Sequence, residues 1–567
     1  MDIQSIYKFK KGEPIQFGLL EGINGSPECD RLPLKEQVAS KLLSYQAKVI
    51  PNKPFVYFEH ECLTYAEMDL FANKCANTLN KLQISKDSRV AIFLKNRIEY
   101  LGLWFGISRL GAIQIPINTE YKLNQIKHLL VRSPIDVVVV EMSLLSEIYA
   151  AINELSISIK ILIVNDKPNE KINDELLSRY KNSYDFGALF FSTNDIEPTY
   201  AKEVSGADFG VIMNTSGTTG PSKGVMLSHA QQYILGRMIA ADLELTANDI
   251  YYNSFPLFHN TSQAMITIPV LLVGASMVLV DKFSASRFWT DTYKFKCTVF
   301  YYIGEIIRIL LNNSAVDNVK TSSLRAGWGI GAIPNDSIEF NRKYNIIMRS
   351  GYGSTEGNVP CYLPRNSINF ESCGQVIPGF EVRIADEFGV ELNRGEIGEI
   401  LIRSSVPYAL MLGYDSDPNS TVQAWKNLWF HSGDSGMMDS KGNLYFKGRV
   451  KDSIRVKGEN ISAFEVEQTI LQLNGVREVA AIAVPSELGG DDLMVVIVRD
   501  PNSELDAVTV IGLATKYLPR FSIPRYVEFV SELPKTPTNK VQKVILRNRG
   551  ITSNTWDREI SKNRSSF

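Results

Sequence analysis

Polar residues are missing from a series of short apolar runs, VAIFL (90–94), VVVV (137–140) and ILIV (161–164), which leaves the chain few ways to fold. A strand of four or five residues with no polar face must be covered on both sides. Helix-period segments lie between these runs. Thr64-Tyr65-Ala66-Glu67 is a capping box, with Leu63 and Met68 at the positions of a hydrophobic staple. Leu70, Phe71, Cys75 and Leu79 then recur on one face, and a second helix through Leu101–Leu110 stops at Gly111. Covered strands alternating with helices indicate α/β construction around a largely buried sheet.

Near residue 440 the character changes to GNLYFKGRVKDSIRVKGENIS (442–462), rich in Gly and charge. A helix is predicted from Ser462, with Ser462 and Glu465 as capping box and Ile461 and Val466 as staple. Strands at about 478–484 and 493–499 and a helix near 506–518 complete a compact unit. The boundary falls at GRVK (448–451), giving domains 1–450 and 451–567. The expected fold is a large N-terminal multi-layer α/β domain with a small α+β C-terminal domain. Residues 1 to about 35 form a polar lead-in, and the tail SNTWDREISKNRSSF is expected to fray.

Charge excludes some functions. Lys and Arg number 60 against 62 Asp and Glu, a net −2, so no general field draws nucleic acid or an anionic membrane. The mix of 44% apolar and 22% charged residues excludes wholesale disorder. Six scattered cysteines without a CxxC pair argue against a disulfide scaffold or structural zinc, and fit a reducing compartment. The run Ile268–Val280, broken by Gly274 and Ser276, falls short of the roughly 20 residues a membrane crossing needs. MDIQSIYKFKKGEP has no apolar segment after its charges, so no signal peptide is read. These features predict a soluble cytoplasmic protein; a homodimer is among the oligomeric states left open.

The stretch MNTSGTTGPSKGVMLSH (213–229) joins small residues, hydroxyls and Lys223 between two apolar segments. Such a loop lets backbone N–H groups approach phosphate oxygens closely. It is not a Walker A loop, since Lys223 follows Ser222 and Gly224 stands where Ser or Thr belongs. A surface turn would share its composition. SGYGSTEG (350–357) follows the strand-like IIMR: Tyr352 between glycines would present an exposed flat surface to a base, and Glu356 would hold Mg²⁺. A glycine-rich turn is the alternative. In WFHSGDSG (429–436) Asp434 suits a sugar diol, or a tight turn. GRVKDSIRVKGEN (448–460) is a basic junction or a charged linker. LPKTPTNKVQK (533–543) places three lysines on a Pro-interrupted stretch that is no regular helix.

In their order these motifs resemble the adenylate-forming superfamily of acyl-CoA synthetases, peptide-synthetase adenylation domains and luciferases. The resemblance runs from about residue 36 to about 550. Thr215 through Gly224 match TSGTTGxxKG throughout; GYGxTEG, GEIGEI (395–400), GD, GRxKDxIxxxG and PKTxxxKV follow. The resemblance implies an AMP-forming acid–CoA ligase that uses ATP, Mg²⁺ and CoA on a small-molecule carboxylic acid. Thr215, Ser216, Gly217, Thr218, Thr219 and Lys223 would hold the β- and γ-phosphates. Ser350, Gly351, Tyr352 and Thr355 would line the adenine and α-phosphate site, and Glu356 would bind Mg²⁺. Asp434, helped by Arg449, would take the ribose, and Lys540 would bridge α-phosphate and acyl oxygen.

Lys451 would be the pivot of a mobile C-terminal domain, presenting Lys457 and Gly458 to the thiol. Asn539, where Gly commonly precedes the lysine, departs from the pattern, as do Arg455 and Asn460. FPLFHNTS (255–262) lacks the Asp that pairs an α-ammonium, which disfavours an amino acid, and His259 would gate the acyl site. Tyr302, Ile303, Gly304, Gly329, Gly331 and Ala332 would line it. TVFYYIGEIIRILL and YGSTEGN look like the very-long-chain acyl-CoA synthetase and fatty-acid transport branch. FSASRFW looks like the carnitine/crotonobetaine-CoA ligase branch. The alternatives are an acyl-AMP ligase that loads a carrier protein or forms an amide, and a non-catalytic acyl-adenylate-binding module.

Overall fold

The computed structural model describes residues 32–167, 172–215, 223–312, 323–365, 367, 369–450, 453–456, 459–486, 491–501, 503–518, 520–536 and 540–560. It is a mixed α/β structure with a large N-terminal domain and a smaller C-terminal one. Two compact units emerge. Of the described residues, one unit holds 32–215 together with Gly224–Glu381 and Arg403–Gln423; the other holds Lys223, Val382–Ile402 and those from Ala424 on.

The apolar runs become sheet interiors as expected. VAIF of the first run lies in the strand Arg89–Phe93, VVVV in Val137–Glu141 and ILIV in Lys160–Val164, paired in parallel. Among the described residues their sheet has eight strands. Its order is Gly413–Tyr414, Gly224–Ser228, Phe209–Asn214, Ile113–Pro116, Arg89–Phe93, Val137–Glu141, Lys160–Val164 and Ser183–Asp185. A second sheet of nine strands runs through Gln375–Val376, Asn358–Tyr362, Ile347–Ser354, Ala326–Ile330, Val299–Ile303, Ile250–Asn253, Ser276–Leu279, Pro54–Phe58 and Glu61–Thr64. The helix Tyr65–Lys81 starts on the expected capping box: Thr64 Oγ1 accepts from the Glu67 N–H, and Glu67 Oε2 accepts from the Thr64 N–H at 2.8 Å. The Thr64 N–H and hydroxyl, both donating to Glu67 Oε2, hold the Glu67 carboxyl below its ordinary value. The next helix, Ile98–Arg109, is followed by Gly111 at φ +65, where a Cβ would collide with Tyr200. Among the described residues no helix is long and apolar enough to cross a membrane.

In the second unit Phe380–Ala385, Ile397–Ser404, Phe430–Met438 and Leu444–Arg449 pair in that order. The helix Ala463–Ile470 begins just after Ser462, and the strands Val476–Pro485 and Asp491–Arg499 and helix Ala507–Tyr517 fall where the apolar pattern put them. The described part of the tail, through Ile560, is held in place; residues 561–567 lie outside the described residues. Trp556–Asp557 adds a strand beside Tyr526–Val530, Trp556 packs on the core, and Asp557 takes an Arg525 nitrogen at 3.2 Å. A half-buried indole and an ion pair outweigh the polar composition around them.

Candidate functional site

Parallel pairing brings three strand ends to one edge of the nine-stranded sheet. Ile303 lies opposite Ile330 and Gly329 opposite Ser350, so Ile303-Gly304, Gly331-Ala332 and the segment from Ser350 leave the sheet side by side. Ile250–Asn253 runs parallel to Val299–Ile303 and leads, at the same edge, to His259. The carboxyl edge of parallel strands is where α/β folds hold ligands. Glycines permit the close approach here: a Cβ on Gly304 would stand 2.0 Å from the Gly331 carbonyl oxygen. Ile303, Gly304 and Ala332 are half-buried and Gly331 exposed. Tyr302 differs. Its side chain is fully buried, and its hydroxyl donates to the Arg349 carbonyl at 2.8 Å, so it braces the edge from within.

His259 is half-buried. Its Nδ1 accepts from the Thr261 backbone N–H at 3.2 Å, which puts the proton of the neutral ring on Nε2. Thr261–Thr267 is a π-helical turn, a geometry common at functional sites. Phe255 meets Tyr301 edge-on at 4.9 Å, and Tyr301 stacks on Trp328 at 5.9 Å.

The strand Ile347–Ser354 carries Ser350, Gly351 and Tyr352 and delivers Thr355 and Glu356 at its end. Tyr352 is only 6% exposed, not the open platform expected from its neighbours. The flanking glycines draw the facing strand in, a Cβ on Gly353 lying 2.2 Å from the Asn358 carbonyl oxygen, and the ring is enclosed. Glu356 is half-buried, and Oε1 accepts from the Tyr414 hydroxyl at 3.2 Å. A carboxylate next to a threonine hydroxyl is a hard-oxygen set suited to Mg²⁺. Among the described residues no three His, Cys, Asp or Glu converge.

One helix joins these parts. Gln231 and Gln232, in the first turn of His229–Asp242, point to two places. Gln231 Nε2 donates to the carbonyls of Thr355 at 3.0 Å and Glu356 at 3.4 Å. Gln232 Nε2 donates to Asn260 Oδ1 at 3.1 Å and Gln263 Oε1 at 3.2 Å, beside His259. At the helix end Asp242, 1% exposed, accepts from Trp328 Nε1 at 2.8 Å and from two nitrogens of Arg349. Burial pushes the Asp242 carboxyl up, and Arg349 opposes it. The same helix follows the hairpin of Phe209–Asn214 and Gly224–Ser228, whose last pair is Asn214 and Gly224. Thr215 is half-buried and Lys223 exposed on either side of the hairpin loop. Ser216, Gly217, Thr218 and Thr219 lie outside the described residues, as do Lys451, Lys457 and Gly458.

In the second unit, adjacent strands bring Asp434 and Arg449 together, with Arg449 Nε 2.9 Å from Asp434 Oδ1. Asp434 is buried, and its N–H donates to Ser432 Oγ at 3.0 Å. The segment 533–543 separates its three lysines by surroundings. Lys535 pairs with Glu478 at 2.9 Å and Lys543 with Glu467 at 2.7 Å, pinning both ends. Between them Lys540 is exposed, its backbone tied to Thr536 by N–H to Oγ1 at 3.0 Å and carbonyl to N–H at 2.7 Å. Sequence reasoning missed Gln231, Gln232, Asp242, Arg349 and Tyr414. The available signal was the Arg within the apolar IIMR and the mixed polarity around HAQQYILGRMIAAD, which marks a helix buried on all sides.

The chain is similar to several known proteins. A long-chain-fatty-acid–CoA ligase of Mycobacterium tuberculosis is 29% identical over 493 residues, 86% of this chain and 92% of that protein. A crotonobetaine/carnitine–CoA ligase of Salmonella paratyphi A is 27% identical over 515 residues, 88% of this chain and 97% of that protein. The crystal structure of the anthranilate CoA ligase AuaEII in complex with anthranoyl-AMP superposes with a TM-score of 0.81 at 25% identity, covering 91% of this chain and 98% of that one. Residues 465–540, ending on the exposed lysine, match the AMP-binding enzyme C-terminal domain, and residues 43–415 match the AMP-binding enzyme pattern itself. The chain belongs to the AMP-binding enzyme family.

Proposed function

We propose that this protein is an AMP-forming acid–CoA ligase. The observation that carries the reading is the helix His229–Asp242: Gln231 fixes the Thr355-Glu356 backbone, Gln232 fixes the segment beside His259, and the helix itself continues from the hairpin bearing Thr215. In this reading one helix supports both the nucleotide and the acid. A carboxylate oxygen of the acid attacks the α-phosphorus of ATP; the new O–P bond forms as the bond to pyrophosphate breaks. The CoA thiol then attacks the acyl carbonyl, giving the thioester and AMP and releasing its proton to water.

Two anions meet in the first step, so fixed positive charge and backbone dipoles are the main catalytic contribution. The acid is already ionised near pH 7, and no protein base is needed. Thr215, Ser216, Gly217, Thr218, Thr219 and Lys223 hold the terminal phosphates, and Ser350, Gly351, Tyr352 and Thr355 the adenine and α-phosphate. Asp434 and Arg449 take the ribose, and Lys540 neutralises charge at the reacting oxygens. Bound at Glu356, Mg²⁺ would neutralise phosphate oxygens. Residues 1–450 and 451–567 act as the two domains, with Lys451 as pivot and Lys457 and Gly458 on the thiol path. His259, Ile303, Gly304, Gly329, Gly331 and Ala332 border the acid, with Tyr302 behind them. Half-buried Phe255 and Ile303 and the absence of an acidic residue in FPLFHNTS support an apolar acid without an α-ammonium group.

The test is a panel of aliphatic acids of increasing length, aromatic acids and amino acids, scored for pyrophosphate release with and without CoA. Apolar acids are expected to drive release and, with CoA, equimolar AMP and thioester; amino acids are expected to stay at background. Acid-independent ATP cleavage, or ADP as product, would overturn the reading. Thioester formed only on a phosphopantetheinylated carrier protein would replace CoA as the acceptor.

A further inference from the structure

Residues 411–415 link two places that the proposed chemistry must keep in register. At one end the Met411 N–H donates to the Glu356 carbonyl at 2.9 Å. At the other the Asp415 N–H donates to the Gly224 carbonyl at 2.7 Å, where the hairpin loop returns. Between them Gly413 and Tyr414 pair with Met226 and Val225 as an added edge strand, and the Leu412 N–H donates to the Met226 carbonyl at 2.8 Å. Successive side chains of a strand point to opposite faces. Here Tyr414 turns to the Glu356 carboxylate at 3.2 Å, while Asp415 turns into the protein.

Asp415 is anchored strongly. Its side chain is 2% exposed and takes both terminal nitrogens of Arg89, at 3.2 and 2.9 Å, together with the Ser133 hydroxyl. Next to Ser133 the Arg132 guanidinium donates to Asn214 Oδ1, and Asn214 Nδ2 donates to the Pro116 carbonyl at 2.9 Å. Asp415 also acts on Arg132 through its charge, countering the burial that lowers the Arg132 pKa. A Cβ on Gly224 would meet Ile212 at 2.7 Å and Arg132 at 3.0 Å, so the root of the loop is packed against this cluster. Bidentate arginine–carboxylate pairs are the geometrically rigid ones.

We propose that Tyr414 and Asp415 are positioning residues: the strap 411–415 fixes the Glu356 carboxylate at a set distance from the loop root, so that a divalent cation at Glu356 and the ATP phosphates arrive in register. The proposal rests on the nucleotide-binding reading of the site. Groups that orient a metal-ligating carboxylate typically matter by about 10–100-fold in metal affinity when removed.

The experiment measures Mn²⁺ binding by electron paramagnetic resonance in the presence of ATP, together with the Mg²⁺ dependence of acyl-AMP formation. Tyr414→Phe removes one oxygen and is expected to weaken Mn²⁺ binding by about tenfold and to raise the half-maximal Mg²⁺ concentration by a similar factor. Saturating Mg²⁺ should bring kcat back to within about twofold of wild type, a split that general damage to the fold would not produce. Asp415→Asn keeps the shape but loses the charge, and is expected to shift Mn²⁺ binding in the same direction although it does not touch Glu356. Wild-type Mn²⁺ affinity in Tyr414→Phe, with its melting temperature unchanged, would overturn the strap. Wild-type protein that binds no Mn²⁺ with ATP would instead overturn the nucleotide reading beneath it.

Discussion

Lys540→Ala is expected to lower acid-dependent pyrophosphate release by about 10²–10³-fold, while preformed acyl-AMP is still converted to thioester. The size follows from the proposed role, in which Lys540 brings a full charge to the developing anion. The choice of lysine follows from the resemblance carried by PKTxxxKV (534–541), which points to Lys540. Lys535 pairs with Glu478 and Lys543 with Glu467, and Lys540 is exposed, its N–H donating to Thr536 Oγ1. Lys535→Ala and Lys543→Ala should therefore act chiefly on stability and much less on adenylation. Stopped-flow measurement of each half-reaction separates the outcomes. Equal survival of both half-reactions in Lys540→Ala would refute its role, and equal loss of both would refute its restriction to the first.

Arg349→Ala is expected to destabilise the larger unit by about 3–5 kcal/mol, because it leaves a buried carboxylate uncompensated. Asp242 is 1% exposed and Arg349 5%, and Arg349 also donates to the carbonyls of Leu363, Pro364 and Arg365. Burial already raises the Asp242 carboxyl above the ordinary range of an aspartate; without the guanidinium it rises further. A carboxyl whose folded-state pKa lies above the unfolded one stabilises at low pH and loses that contribution as pH rises through the folded value. The variant's deficit should thus be smallest near pH 4 and grow toward neutrality, as read from urea unfolding midpoints across pH. A deficit independent of pH would mean that Asp242 is not the group left exposed to the loss.

Local signals were legible in the sequence and distant partnerships were not. Thr64 and Glu67 are three residues apart, so their capping box could be read directly, as could the covered strands and the order of the glycine-rich motifs. Gln231 bonds Thr355 across 124 positions, and Asp242 meets Arg349 across 107. No spacing rule reaches so far. Tyr352 was expected to stand open because glycines flank it, yet those glycines let the next strand close over the ring. Trp556–Asp557 was hidden within a polar tail, since a strand of two residues has no periodicity and is held by Arg525 and the core beneath Trp556.

That short strand also governs how the C-terminal sheet ends. Tyr526–Val530 is parallel to Asp491–Arg499 on one side and receives Trp556–Asp557 on the other. A chain shortened to Gly550 would leave its backbone N–H and C=O groups facing outward beside apolar Val527, an invitation to intermolecular strand addition. Insolubility of such a truncated protein would then report a bare sheet margin, and would say nothing about whether the residues removed take part in catalysis.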